Sequence, residues 1–377
     1  MKQRKAIILT NVQGKSYLDG AEGKGITMLH REESFMLKVK KTVACQFVYP
    51  YAVCVYDSPR GKRVMCATES EGKGYSFSAV DCSDLEEVWS GPGGTMTIVP
   101  DGDESFFVTH EFYKGFRSAK AHVSHITRRP DGGYDCEKYF DLPYLHRFSI
   151  LELRGEKWLV GGTLCDSKEF KDDWSKPGRI YVGKVEYPKP MELRVVQSGI
   201  TKNHGMYCGP FAGQEKVVIC TGVEGAFAVF PPEKDGEDWR VEKILDCEIS
   251  DIRVADLDGD GVEELVTIEG FHGNLMKVYK KGEEGYREVY RYPIVFGHPI
   301  WCGMLLGRPR IIIGYKEANS GLFVLTPRTD TDRMSMEVQM IDELEQFSNI
   351  DVWDEGERFS IFAACSSGNV IKYELSL

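Results

Sequence analysis

The stretch Ser250–Lys280, SDIRVADLDGDGVEELVTIEGFHGNLMKVYK, decides how the rest of the chain is read. An apolar strand at 252–255 leads into an acidic loop, and a second strand follows at 264–268. Glu-Gly-Phe-His-Gly and a third strand come next. The loop spells D-x-D-G-D-G-x-x-E, with Asp256, Asp258, Asp260 and Glu264 at relative positions 1, 3, 5 and 9. Gly259 and Gly261 permit a tight turn that folds these carboxylates round one point. Hard oxygen donors at this spacing suit Ca²⁺, as in the first half of an EF-hand loop. The closing bidentate glutamate of an EF-hand is missing, however, and strands rather than helices flank the loop. An acidic hairpin that simply faces water is the alternative.

Working outward, the same strand–turn–strand pattern recurs along the chain. It reads RVMCATESEGKGYSFSAVD, SFFVTHEFYKGFRSAKAHVSHI, KWLVGGTLCDSKEFKDDWSKPGRIYVGKV, KVVICTGVEGAFAVF, PRIIIGYKEANSGLFVLTP and FSIFAACSSGNVIKYELSL. Each is a hairpin signature. A further strand follows most of them (LEEVW, EKYFDL, LRVVQS, WRVEKIL, YREVYRY, MEVQMI), and a short apolar strand opens the next unit. Unit starts fall near Gln46, Thr95, His146, His204, Asp251, His298 and Asn349. Seven four-stranded units of about 50 residues predict an all-β fold, a seven-bladed β-propeller as a single domain over 1–377. The last unit lacks an outer strand, which 34–44, SFMLKVKKTVA, is placed to supply. Surplus strands at 6–10 and 26–32 keep eight blades open as the alternative.

Composition excludes several functions. A net charge of −11 over 377 residues disfavours nucleic acid and anionic membrane surfaces. No apolar run approaches the ~18 residues of a membrane span, and the N-terminal apolar patch is too short for a signal peptide. Eleven cysteines without a C-x-x-C pair, many in apolar strands, fit reduced core thiols and a cytoplasmic location. Nothing in the sequence fixes the oligomeric state.

In a propeller, starts of the innermost strands and ends of the second strands gather on one face, around the channel. Three unit starts carry histidine (His146, His204, His298), and two second-strand ends do (His110 in VTHEFY, His272 in EGFHGN). Imidazoles with a nearby carboxylate suit Zn²⁺, Mn²⁺ or Fe²⁺ with an open position. The expected ligands are His146, His204 and His298, joined by His272 or Glu269. His110 is the expected general base, with Lys316 or Tyr315 as acid. A Gly-His pair that only hydrogen-bonds within its own blade is the competing account of Gly297-His298. Two long turns, FYKGFR at 112–117 and CDSKEFKDDWSKP at 165–177, form an aromatic, charged rim. Phe112, Tyr113, Arg117, Trp174 and Trp301 are the expected contacts to a sugar ring.

The Ser250–Lys280 module resembles the FG-GAP (integrin-type) calcium loop, which joins two strands of a propeller blade. The chain looks like a single-domain relative of FG-GAP and VCBS-type repeat proteins. Its acidic loop and channel histidines together are similar to propeller sugar dehydratases and polysaccharide lyases of the aldos-2-ulose dehydratase and oligogalacturonate lyase kinds. That resemblance implies β-elimination beside a carbonyl or carboxylate polarised by a divalent metal, with a small carbohydrate as substrate. A non-catalytic ligand-binding or scaffold propeller is a second reading, and a metal-dependent sugar hydrolase or epimerase a third. The sequence holds no G-x-S-x-G elbow, P-loop, H-E-x-x-H or Rossmann glycine fingerprint. The acidic loop itself, between the first and second strands, falls on the face opposite the channel histidines, so its expected role is structural.

Overall fold

A computed structural model describes residues 36–377, apart from 114, 235, 317–320 and 329–333. Twenty-eight strands form seven four-stranded antiparallel sheets, and no helix occurs among the described residues. The sheets are the seven blades expected from the hairpin count. Blades 1 to 6 are contiguous, at 50–89, 98–141, 145–200, 206–245, 249–293 and 297–342. Blade 7 takes three strands from 347–376 and its outermost strand, Lys38–Gln46, from the front of the chain. That strand runs antiparallel to Asn369–Ser376, with Lys38 opposite Ser376 and Gln46 opposite Asn369.

The closing strand is thus the expected one, displaced a few residues downstream. The displacement also corrects the first unit start. Gln46 ends the closing strand, and the innermost strand of blade 1 is Pro50–Ser58. The surplus strands expected at 6–10 and 26–32 lie outside the described residues.

The second strands read as continuous apolar runs because both of their faces are covered. Phe359–Cys365 and the residues Ile311, Ile312 and Ile313 are fully or almost fully buried. Their side chains meet those of the neighbouring blade in one apolar layer per junction. Leu305, Ile312 and Val324 of blade 6 pack on Phe347, Phe359 and Ile361 of blade 7. Val64, Cys66 and Phe77 of blade 1 pack on Phe362 and Val370 of blade 7. The remaining junctions repeat the arrangement. No helix of the described residues is long and apolar enough to cross a membrane.

Candidate functional site

The innermost strands begin on one face, and their second residues ring the channel mouth. Tyr51 in Pro50–Ser58, His146 in Leu145–Leu153 and His298 in Gly297–Leu305 occupy this position. His204 reaches the same place from just before Met206–Phe211. The step after it, Gly205, has no room for a side chain. A Cβ there would stand 2.4 Å from the Asp251 Cα and 2.6 Å from the Ser250 carbonyl oxygen. Glycine therefore lets the His204 segment press against blade 5.

Backbone carbonyls fix two of the imidazoles. His204 Nδ1–H donates to the Ser250 carbonyl at 3.2 Å, and His146 Nδ1–H donates to the His204 carbonyl at 3.0 Å. A carbonyl only accepts, so the proton of each neutral ring sits on Nδ1 and its Nε2 lone pair faces the cavity. Tyr51 O–H lies 3.4 Å from His146 Nε2 and is oriented to donate to it. His272 follows strand Glu264–Glu269 in a turn and has a left-handed backbone, φ 52°, a conformation non-glycine residues seldom adopt. Its Nε2 lies 3.2 Å from His204 Nε2. His298 is buried with Nδ1 lacking any hydrogen-bond partner. One ligand nitrogen from each of His204, His272 and His298 falls within 4.8 Å of the others.

Burial holds the four rings neutral. It drives His146, His204 and His298 well below the ordinary imidazole range and His272 down to about 3. Arg147, Lys316 and the rings' own mutual repulsion push the same way. Neutral imidazole is the form that binds a metal. The unpartnered His298 nitrogen, the facing His204 and His272 nitrogens and the fixed tautomer of His204 fit a three-histidine transition-metal centre. His146 stacks on His204 at 4.3 Å between centroids but is engaged by Tyr51.

The rings open into a cavity of about 430 Å³. Phe112, Tyr113, Phe116 and Phe296 supply aromatic walls, and Glu69, Lys316 and Gln346 supply polar groups. Lys316 Nζ lies 3.3 Å from Glu69 and 4.8 Å above the Tyr51 ring. An outer cleft of about 1010 Å³ shares Tyr113, Gly115, Phe116 and Lys171 with the cavity and adds Arg117. Trp174 stands behind this rim, against Phe116 and Phe271, with Lys168 Nζ 3.1 Å above its ring.

Several expected site residues lie elsewhere, for one geometric reason. The last side chain of a second strand still lies on a blade face, and only the turn beyond it overhangs the channel. His110 accordingly sits between blades 1 and 2, with Nδ1 2.9 Å from Ser124 Oγ and its ring against Trp89. Burial takes it down to about 3, and it does not line the cavity. Tyr315 packs on Phe323 in the layer between blades 5 and 6, where burial pushes its hydroxyl up to about 12. Glu269 is held by Lys277 at 2.7 Å and by the Tyr279 hydroxyl, away from the imidazoles. Trp301 lies on Phe359 in the layer between blades 6 and 7. A strand start at Gln46 hides Tyr51. Aligned from Pro50, it shares the register position of His146 and His298.

At the opposite end of blade 5, the acidic loop joins Ile249–Ala255 to Glu264–Glu269. Asp256 turns inward and accepts the Gly259 and Gly261 amides at 2.7 and 3.0 Å. The remaining three carboxylates surround the ammonium of Lys280, which contacts Asp258 and lies 2.7 Å from Asp260 and 3.4 Å from Glu264. The oxygens that calcium needs are present, but their shared centre already holds a cation. One carboxylate oxygen from each of Asp256, Asp258 and Asp260 also lies within 4.8 Å of the others, a grouping that could hold a metal ion.

No protein-family model matches the chain, and no curated protein matches it. The likeness to FG-GAP loops therefore rests on the loop residues alone. Among solved structures, a streptogramin B lyase is 14% identical and superposes with a TM-score of 0.55, covering 90% of this chain and 98% of that one. An inactive histidine-to-alanine variant of virginiamycin B lyase from Staphylococcus aureus, with quinupristin, is 13% identical with a TM-score of 0.56, over 91% and 100% of the two chains. A 6-phosphogluconolactonase-like protein from Bacteroides uniformis is 10% identical with a TM-score of 0.52, over 86% and 91%. These similarities establish the seven-bladed propeller, in proteins that include a lyase and a lactonase-like protein.

Proposed function

We propose that the histidine-lined cavity is the active site of a metal-dependent lyase that eliminates across a carbon–oxygen bond of a carbohydrate. His204, His272 and His298 would hold a divalent transition ion, Zn²⁺, Mn²⁺ or Fe²⁺. The observation that carries the reading is the convergence of their ligand nitrogens within 4.8 Å in a buried pocket. A bound ion supplies a Lewis acid beside the carbonyl or carboxylate next to the breaking bond.

The chain's own residues supply the rest. His146 Nε2 carries a lone pair to which the Tyr51 hydroxyl donates at rest; with that hydroxyl turned aside it accepts the proton α to that carbonyl, taking the base role first expected of His110. Its low basicity suits a site where negative charge develops close by, because that charge raises the ring's proton affinity as the reaction proceeds. The C–H electron pair forms the new double bond, and the C–O pair leaves with the oxygen. Lys316, oriented by Glu69, protonates that oxygen. Phe112, Tyr113 and Phe296 give the apolar face of a sugar ring a surface to lie on. The cavity's volume of about 430 Å³ suits one or two sugar units.

The test is metal analysis of the purified protein, followed by incubation with keto-sugars and uronides. Bound transition metal and a new ultraviolet-absorbing unsaturated product are expected. The His204→Ala and His272→Ala variants should lose both. A wild-type protein free of transition metal and without product across that set would sink the reading. Virginiamycin B lyase, of the same fold, motivates including quinupristin among the substrates.

A further inference from the structure

The acidic loop has its own cation, and this feature is independent of the cavity. Strand Leu275–Gly282 pairs with Glu264–Glu269 in the register Leu265 opposite Tyr279, which sets Lys280 across from Glu264. The side chain then turns under the loop to Asp258, Asp260 and Glu264. Glu264 is fully buried, so water cannot satisfy its charge. One of its oxygens accepts the Leu257 amide at 2.8 Å, and the other lies 3.4 Å from the Lys280 ammonium.

We propose that Lys280 is the built-in counter-ion of the D-x-D-G-D-G-x-x-E loop, and that its ammonium excludes calcium from a site otherwise equipped to bind it. Two further observations support this. The Asp258 Oδ1 and Glu264 Oε1 atoms are buried without a hydrogen-bond partner, so the ammonium leaves oxygen lone pairs unused. A divalent ion would use them. Burial opposes the charge on Lys280, yet the hydrogen bonds it donates to Asp258 and Asp260 outweigh it and raise its pKa. The ammonium is thus held firmly, and a divalent ion entering the same centre would meet a like charge at contact distance. Removing the ammonium leaves Asp258, Asp260 and Glu264 round one point, with an Asp256 oxygen within 4.8 Å of those of Asp258 and Asp260, the residue types of a calcium loop.

The experiment compares the full chain with Lys280→Met and Lys280→Arg, each stripped with chelator and then titrated with CaCl₂. Melting temperature and calorimetric heat are read. The wild type and Lys280→Arg are expected to show no calcium heat and no calcium-dependent shift. Lys280→Met should melt lower in chelator and recover, saturably, with Ca²⁺ but not with Mn²⁺. Calcium-dependent melting of the wild type or of Lys280→Arg overturns the proposal. So does a Lys280→Met protein that shows no calcium response or fails to fold with Ca²⁺ present. Loss of transition metal from the cavity leaves all these outcomes readable, because only recovery by Ca²⁺ is scored.

Discussion

At the scale of single residues, the site depends on side chains that are absent or neutral as much as on those that react. Gly205→Ala would push a methyl group into the Asp251 backbone. It should cost about 1–3 kcal/mol, as overpacking does, and displace His204 from the Ser250 carbonyl. Denaturant melts together with metal content would register both effects. The neutral imidazoles also set a pH dependence. His272 and His110 are held down to about 3, whereas unfolded histidine titrates near 6.5. Below about 6.5 the unfolded chain takes up protons that the folded chain refuses, so stability is full above that pH and falls steadily toward 3. Asp351, pushed up to about 6 by burial, acts in the opposite sense between roughly 6 and 4, but the imidazoles outnumber it. Urea midpoints should fall between pH 7.5 and 5, and fall less in His272→Asn. Equal slopes in the two proteins would contradict the assignment.

At the scale of strands and turns, sequence revealed the repeat better than the register. Apolar second strands such as KVVIC and PRIIIGY are covered on both faces, so they stand out and count the blades. The histidines at strand starts were legible for the same reason, since a start is fixed by the apolar run that follows it. Strand ends were not. A shift of one residue moves a side chain from the channel to the blade face, which is how His110, Tyr315 and Glu269 were drawn into a site that they do not reach. The tie of Lys280 to the acidic loop is a cross-strand contact, invisible in the loop's own spacing. The rim turn at 165–177 offers a prediction at this scale. Trp174 touches Phe116 and Phe271 and packs at the edge of the small apolar cluster of Tyr51, Met96, Phe112, Ala121 and Leu164, outside the layers between blades, so Trp174→Ala should lower the melting temperature by only a few degrees. Ligand binding in the cavity should weaken, and titration of the variant would show it.

At the scale of the whole molecule, the propeller is a ring of layers, each shared by two blades. Damage to one layer is damage to two blades. Phe362 lies in the layer that joins blade 7 to blade 1, fully buried. Phe362→Ala should cost about 3–5 kcal/mol, measurable by chemical denaturation. Deleting 38–46 removes the outer strand of blade 7 and bares the backbone edge of Asn369–Ser376. Such an edge recruits other chains, so the truncated protein should run as oligomers in size-exclusion chromatography, and a monodisperse monomer would count against the closure described here.

The closing strand has a consequence for biosynthesis. Lys38 Nζ reaches the Leu377 carbonyl across 339 positions of sequence. On a ribosome adding about 5–20 residues per second, Lys38–Gln46 emerges and then waits on the order of tens of seconds for its partner. Through that interval it is an unpaired strand in a crowded compartment. Its composition suits the wait, because Lys38, Lys40 and Lys41 are solvent-exposed even in the finished ring, and lysine on a strand discourages pairing with the wrong neighbour. The lysines that flank the last seam of the ring are also its protection while the polypeptide is still being made.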